Sequence, residues 1–359
     1  MINERETKKN ILVVDDSALM RRVICDIINQ DGTYQVVDTC RDGLEAYEKL
    51  KKTHYAGVIL DVNMPRMDGL ELLEKLQQDG IRETVIMVST LTSKDADTTL
   101  LAIERGAVDF VTKPSNIIEA KGESFKERLI RVIKAVLAGG AAKGFTPRRP
   151  AAPKKPAGPV RRKTSGDKKL VALACSTGGP KALQSVIPML AANLDAPMVL
   201  VQHMPAGFTK SMADRLNELS HIHVKEAEDH EVLRKGTVYV APGGKHLEVR
   251  KAADGSHFVS LNDAPAIGGL KPCANVMYES LRESGYDEIT CVVLTGMGAD
   301  GTKGILALRE KVPVYVISQD AASCVVYGMP KSIAETGVVD EVVPLDKIAQ
   351  SIMKNVGVK

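Results

Sequence analysis

Short unbroken runs of Val, Ile and Leu recur along this chain at strand length, and helical periodicity fills most of the gaps between them. Before residue 139 they fall at 11–14, 57–60, 84–88 and 108–111. After residue 167 they fall at 169–175, 197–201, 237–240, 289–294 and 313–317. A strand with one wet face alternates apolar and polar residues, whereas a strand covered on both faces reads as a continuous apolar run. The pattern therefore specifies parallel strands with helices on both faces, and it specifies them twice. Residues 246–262, around Asp254-Gly255, read instead as an antiparallel hairpin. The expected fold class is α/β, with two doubly wound parallel-sheet domains, the second carrying that hairpin.

Between the halves, Pro147, Pro150, Pro153, Pro156 and Pro159 stand every third residue among Ala, Gly, Lys and Arg. Such a segment has too little apolar surface to offset its ordering entropy. It is expected to be a solvated linker with polyproline II character, spanning roughly 30 Å if fully flexible. Over residues 139–169, ten Lys and Arg face one acid, Asp167, so the remainder of the chain is acidic although the total is +3. Basicity thus belongs to the linker and not to a face of either domain. The expected boundaries are 1–138, 139–167 and 168–359. No apolar run approaches the roughly 20 residues of a membrane helix. The start, MINERETKKN, lacks a signal h-region, and six cysteines form no C-x-x-C pair. A cytoplasmic protein without membrane insertion is expected.

Doubly wound sheets gather their chemistry beyond the carboxyl ends of the strands. In the first half, ILVVDDSALM places Asp15 and Asp16 after one strand, and GVILDVNMPRMDG places Asp61 at the end of another. Carboxylates in one crevice repel each other unless a cation sits among them, and an all-oxygen set suits Mg²⁺. Ser89 and Lys113, at two further strand ends, add a hydroxyl and an ammonium suited to phosphoryl oxygens. In the second half, LVALACSTGGPKA, PMVLVQHMP and ITCVVLTGMGADG bring Ser176, His203 and Asp300 each just past a strand. Singly, these residues have ordinary structural roles as caps or core groups. Together, on parallel strands, they are expected to converge on one crevice as nucleophile, base and orienter. Cys175 ends its apolar run and is expected to pack as a small hydrophobe. His221, His223 and His230 form a rival metal-like set in a polar stretch that reads as a solvated loop.

Those motifs carry a resemblance. Through VVDDS, LDVNMPRMDG, VST and DFVTKPS, the first half resembles the receiver domain of bacterial two-component response regulators. Through CSTGGP, VQHMP, APGGKH, LTGMGADG and SCVVYGMP, residues 168–359 resemble the catalytic domain of chemotaxis protein-glutamate methylesterases. For the receiver, the resemblance implies that Asp61 accepts a phosphoryl group from a histidine kinase of the chemotaxis system. Asp15, Asp16, Asp61 and the Asn63 carbonyl would bind Mg²⁺, with Ser89 as switch hydroxyl, Lys113 as phosphoryl contact and a cis Lys113–Pro114 bond. For the esterase it implies Ser176 as nucleophile, His203 as general base and Asp300 as its orienter. The Met297 N–H would stabilise the oxyanion, Thr177 would support the histidine, and no cofactor would serve the ester step.

The implied substrates are γ-glutamyl methyl esters on chemoreceptor helices, cleaved with release of methanol; receptor glutamines would be deamidated as well. A monomer recruited to membrane receptor arrays is expected, and the fusion of a phospho-acceptor to a hydrolase by a long tether points to an unphosphorylated receiver that covers the esterase crevice. Cys273 and Asn275, in KPCANV, stand where Ser and Asp are frequent in the family and carry no assigned role. The alternative reading is a non-enzymatic response regulator acting through its basic linker. No helix-turn-helix pattern accompanies that linker, Trp is absent and Phe number five, so no nucleic-acid partner is expected.

Overall fold

A computed structural model describes residues 8–114, 123–138 and 168–358. The chain divides into two compact units, Met1–Lys143 and Gly144–Lys359. The expected linker over 139–167 lies outside the described residues.

The first unit alternates strand and helix: β1 (Lys9–Val14), α1 (Ala18–Gln30), β2 (Tyr34–Cys40), α2 (Gly43–Leu50), β3 (Gly57–Asp61), α3 (Gly69–Gln78), β4 (Val85–Ser89), α4 (Ser93–Glu104), β5 (Asp109–Thr112) and α5 (Glu123–Ala138). The strands form one parallel sheet in the order β2-β1-β3-β4-β5, the flavodoxin-like arrangement. Every residue of β3 and β4 is buried, which is why these strands read as continuous apolar runs. The stripe Val23, Ile24, Ile27 and Ile28 buries one side of α1. Helices α1 to α4 each start on a side-chain cap: Ser17, Asp42, Asp68 and Thr92 accept a first-turn N–H.

The second unit holds β6 (Lys169–Cys175), α6 (Gly179–Val186), β7 (Met198–Gln202), α7 (Phe208–Leu219), β8 (His223–Glu226), β9 (Thr237–Val240), β10 (His246–Lys251), β11 (His257–Asn262), α8 (Ala274–Ser280), β12 (Glu288–Val293), α9 (Thr302–Arg309), β13 (Val314–Gln319), α10 (Met329–Glu335), β14 (Glu341–Val343) and α11 (Ile348–Val356). Its seven-stranded sheet runs β14-β13-β12-β6-β7-β9-β8, parallel throughout. β10 and β11 pair antiparallel across the Asp254-Gly255 turn. The chain winds outward from β6 in one direction and from β12 in the other. The crevice beyond these neighbouring strands is therefore the topological switch point. Helices α6, α7, α9 and α10 begin behind Gly178, Gly207, Gly301 and Gly328, with no side chain from the cap residue itself.

Three strands differ from the sequence reading. β2, β8 and β14 are all outermost in their sheets and only partly buried, unlike the fully buried edge strand β5, so no continuous apolar run marks them. β8 occupies the stretch expected to be a solvated loop. Among the described residues the cis peptide joins Lys271 to Pro272, and Lys113–Pro114, expected to be cis, is not. Proline lowers the difference between the isomers to about 0.5–1 kcal/mol, so the residue pair alone does not select one.

Candidate functional site

Three carboxylates meet at the carboxyl end of the first sheet. Ligand oxygens of Asp15, Asp16 and Asp61 all lie within 4.8 Å of one another, with Asp15 and Asp61 buried. Lys113 Nζ joins them, 2.8 Å from Asp15 Oδ2 and 2.7 Å from Asp61 Oδ2. Burial pushes the Asp61 carboxyl up to about 6; Lys113 opposes the shift and Asp15 adds to it. A pocket that makes a carboxylate this costly to ionise, with a second buried carboxylate beside it, fits a hard divalent cation. Asn63 turns its side chain away, donating to Asp95 Oδ1 at 2.7 Å. The Ser89 hydroxyl faces α4, where Thr99 Oγ1 donates to it at 2.7 Å. The Ser89 carbonyl accepts the Lys113 N–H at 2.6 Å, tying the β4 and β5 ends together.

At the switch point of the second sheet, Ser176 leaves β6 with its N–H donated to Thr295 O at 3.0 Å. His203 leaves β7 and donates its N–H to Cys175 O at 3.3 Å. Its Nε2 donates to Asp300 Oδ2 at 2.8 Å, and both side chains are nearly inaccessible. Among the described residues, Ser176 Oγ and His203 Nδ1 have no hydrogen-bond partner. The ring nitrogen facing away from Asp300 is thus the one open to a proton from serine. Nucleophile–base bonds are often long before substrate binds, so the unpaired state is compatible with chemistry.

Asp300 is held by more than His203. Oδ2 also accepts from Ala274 N at 2.6 Å, while Oδ1 accepts from Asn275 N at 3.0 Å, Gly301 N at 2.9 Å and Cys273 Sγ at 3.2 Å. Burial works to raise its carboxyl, but these donors and His203 outweigh it and hold Asp300 at about 2. Its side chain is therefore ionised throughout the neutral range, as an orienter requires.

The family model for CheB methylesterase matches residues 171–352, and that for the response regulator receiver domain matches residues 11–121. A Syntrophomonas wolfei protein named protein-glutamate methylesterase/protein-glutamine glutaminase 1 is 39% identical, covering 96% of this chain and 99% of that protein. The similarly named Bacillus subtilis protein is 41% identical over 95% of this chain and 97% of its own length. The crystal structure of the Thermotoga maritima CheB methylesterase catalytic domain is 44% identical with a TM-score of 0.50, covering 53% of this chain and 99% of that one. This chain belongs to the CheB methylesterase family.

Within this methylesterase domain, the turn carrying Ser176 is confined on every side. A Cβ at Gly179 would stand 1.9 Å from Gln202 Oε1, and one at Gly296 would stand 2.9 Å from Ser176 Cβ. Gln202 Nε2 donates to Ser176 O at 3.1 Å, and Cys175 Sγ donates to Gln202 Oε1 at 3.0 Å. Cys175 is fully buried and burial pushes its thiol far up, so it stays a neutral packing group. The Thr177 carbonyl accepts from Thr295 Oγ1 at 2.9 Å; among the described residues its side chain makes no bond to His203. Met297 lies exposed in the β12–α9 loop. His221, His223 and His230 are exposed, and among the described residues the group able to hold a metal is Asp15, Asp16 and Asp61. Sequence reasoning missed Gln202 and left Cys273 and Asn275 without a role. The departure of KPCANV from the family pattern was the one available signal.

Proposed function

We propose that this chain is a phosphorylation-regulated protein-glutamate methylesterase that also deamidates glutamine, acting on chemoreceptors in chemotactic adaptation. The observation that carries the reading is the His203–Asp300 bond at 2.8 Å, at strand ends flanking Ser176. Ser176 Oγ attacks the ester carbonyl as His203 Nδ1 takes its proton. The same proton passes to the departing methoxide, giving methanol and an acyl-enzyme. Water then gives a proton to His203 and attacks the acyl carbon; Ser176 leaves with that proton, and the carboxylic acid formed releases its own proton to solvent, restoring the glutamate carboxylate. On a glutamine substrate the leaving group is ammonia. Asp300 stays ionised and steadies the imidazolium. The Met297 N–H, with N–H groups at the start of α6, takes the oxyanion, and Thr177 stands beside Ser176 without a bond to His203 among the described residues. No cofactor enters these steps.

In the receiver, over residues 1–138, Asp61 accepts a phosphoryl group from a chemotaxis histidine kinase. Asp15, Asp16, Asp61 and the Asn63 carbonyl would hold Mg²⁺, which when bound offsets the negative charge gathered at the phosphoryl oxygens. Lys113 contacts those oxygens and Ser89 acts as the switch hydroxyl. Residues 139–167 tether this domain to the esterase over 168–359, and the unphosphorylated receiver restrains it. The protein works as a cytoplasmic monomer at receptor arrays. The non-enzymatic reading finds no support, because the esterase family match spans 171–352.

The test is methanol release from methylated receptor membranes with a small-molecule phosphodonor. Ser176→Ala should abolish release, and Asp61→Ala should keep basal release while losing stimulation. Full activity in Ser176→Ala would remove the mechanism.

A further inference from the structure

Asn275 touches no reacting group, yet it meets Asp300 in two ways. It is the second residue of α8, and its N–H donates to Asp300 Oδ1 at 3.0 Å. Its side-chain Oδ1 accepts from Gly301 N at 3.1 Å and Gly304 N at 2.8 Å, two of the N–H groups that open α9. The cap residue of α9 is Gly301, which has no side chain to satisfy them. Asn275 therefore caps a helix other than its own. The two helices are pressed together where it does so: a Cβ at Gly304 would stand 2.8 Å from Asn275 O.

We propose that Asn275 is a positioning residue for the Asp300–His203 pair, locking the start of α8 to the start of α9 without adding charge. The proposal rests on the Ser176–His203–Asp300 reading. Three of the donors to Asp300, from Cys273, Ala274 and Asn275, belong to the α8 start, whereas Asp300 itself belongs to the α9 start. The carboxylate keeps those donors only while the two starts stay in register, and the Asn275 side chain spans the joint.

Its neutrality matters separately. A carboxylate at 275 would accept the same two N–H groups at a favourable helix end. It would also set a second negative charge beside Asp300, favouring the protonated forms of Asp300 and His203. The other titratable groups facing Asp300 are the Cys273 thiol, which burial followed by the Asp300 charge pushes up to about 11, and the Tyr278 phenol, which burial pushes well up. Both are neutral near pH 7, so His203 and Asp300 are the groups whose charge the substitution perturbs.

Wild type, Ser176→Ala, Asn275→Leu and Asn275→Asp are compared as full chains with a phosphodonor, on methylated receptor membranes across pH. Leucine keeps the shape and accepts nothing. Asn275→Leu should lose roughly tenfold to a hundredfold in kcat with KM within about twofold, as expected for a misplaced catalytic pair. Asn275→Asp should recover kcat to within about threefold. The acid limb of its kcat/KM profile should move up by roughly half to one pH unit. Should Asn275→Leu fail to fold, by circular dichroism, the Asn275→Asp limb decides alone. Wild-type kcat in folded Asn275→Leu, or an unmoved limb in Asn275→Asp beside an inactive Ser176→Ala, overturns the proposal while leaving the mechanism standing. Full methanol release by Ser176→Ala overturns the mechanism first and this proposal with it.

Discussion

Gly296 shows how little room surrounds Ser176. A methyl group there would lie 2.4 Å from Met329 Sδ and 2.9 Å from Ser176 Cβ, and Met329 is itself fully buried. Gly296→Ala should therefore displace the serine turn, lowering kcat at least tenfold and stability by about 1–3 kcal/mol. Methanol release and thermal unfolding check this together; unchanged values in both would mean that the loop yields freely. That Ser176, His203 and Asp300 each lie beyond the carboxyl end of a strand was legible, because each follows an apolar run and carries a side chain whose type suggests chemistry. Gln202 and Asn275 were not. They act through contacts that exist only once β7 lies beside β6 and α8 meets α9, and amide side chains at such places signal nothing in sequence. The donors to Asp300 from Ala274 and Gly301 are backbone N–H groups, which no residue type announces.

At the scale of elements, the interior strands and the buried edge strand β5 were readable, whereas the edge strands β2, β8 and β14 were not. β3 is buried at all of its positions, whereas β2, YQVVDTC, has buried residues only at its ends, and β14 is only three residues long. A run of Val and Ile records burial on two faces; the edge strand β5 has that burial at all its positions, and β2 and β14 do not. Helix α4 of the receiver carries a connection of its own to the loop that follows β3. Asp95 accepts from Thr92 Oγ1 at 2.5 Å, from Asn63 Nδ2 at 2.7 Å and from Thr90 Oγ1. Asp95→Ala should loosen the first turn of α4 at a cost of about 1–2 kcal/mol. Hydrogen exchange should show faster amides there, with α1 unchanged. Equal exchange in both would show that the network does not hold the turn.

Across the whole molecule, two sheets each present their reactive groups at strand carboxyl ends, and each has a core of its own. The first sheet is complete within residues 9–112 and the second within 169–343. Removing residues 1–139 should leave a folded esterase whose basal methanol release is raised and no longer responds to a phosphodonor. Unchanged or lower release would count against restraint by the receiver. The way Asp300 is gripped has a genetic consequence. Most of its donors are main-chain groups, so at Ala274 it is the backbone and not the side chain that secures this carboxylate, whereas Asn275 and Gly301 are also constrained by a capping side chain and a positive φ. A saturation survey of variants should find position 300 intolerant and position 274 open to Gly or Ser, although the two residues touch at 2.6 Å. Inheritance at this joint protects a path of the backbone: the letter at 274 is free to drift, while those at 275 and 301 are held by a side-chain cap and a left-handed turn.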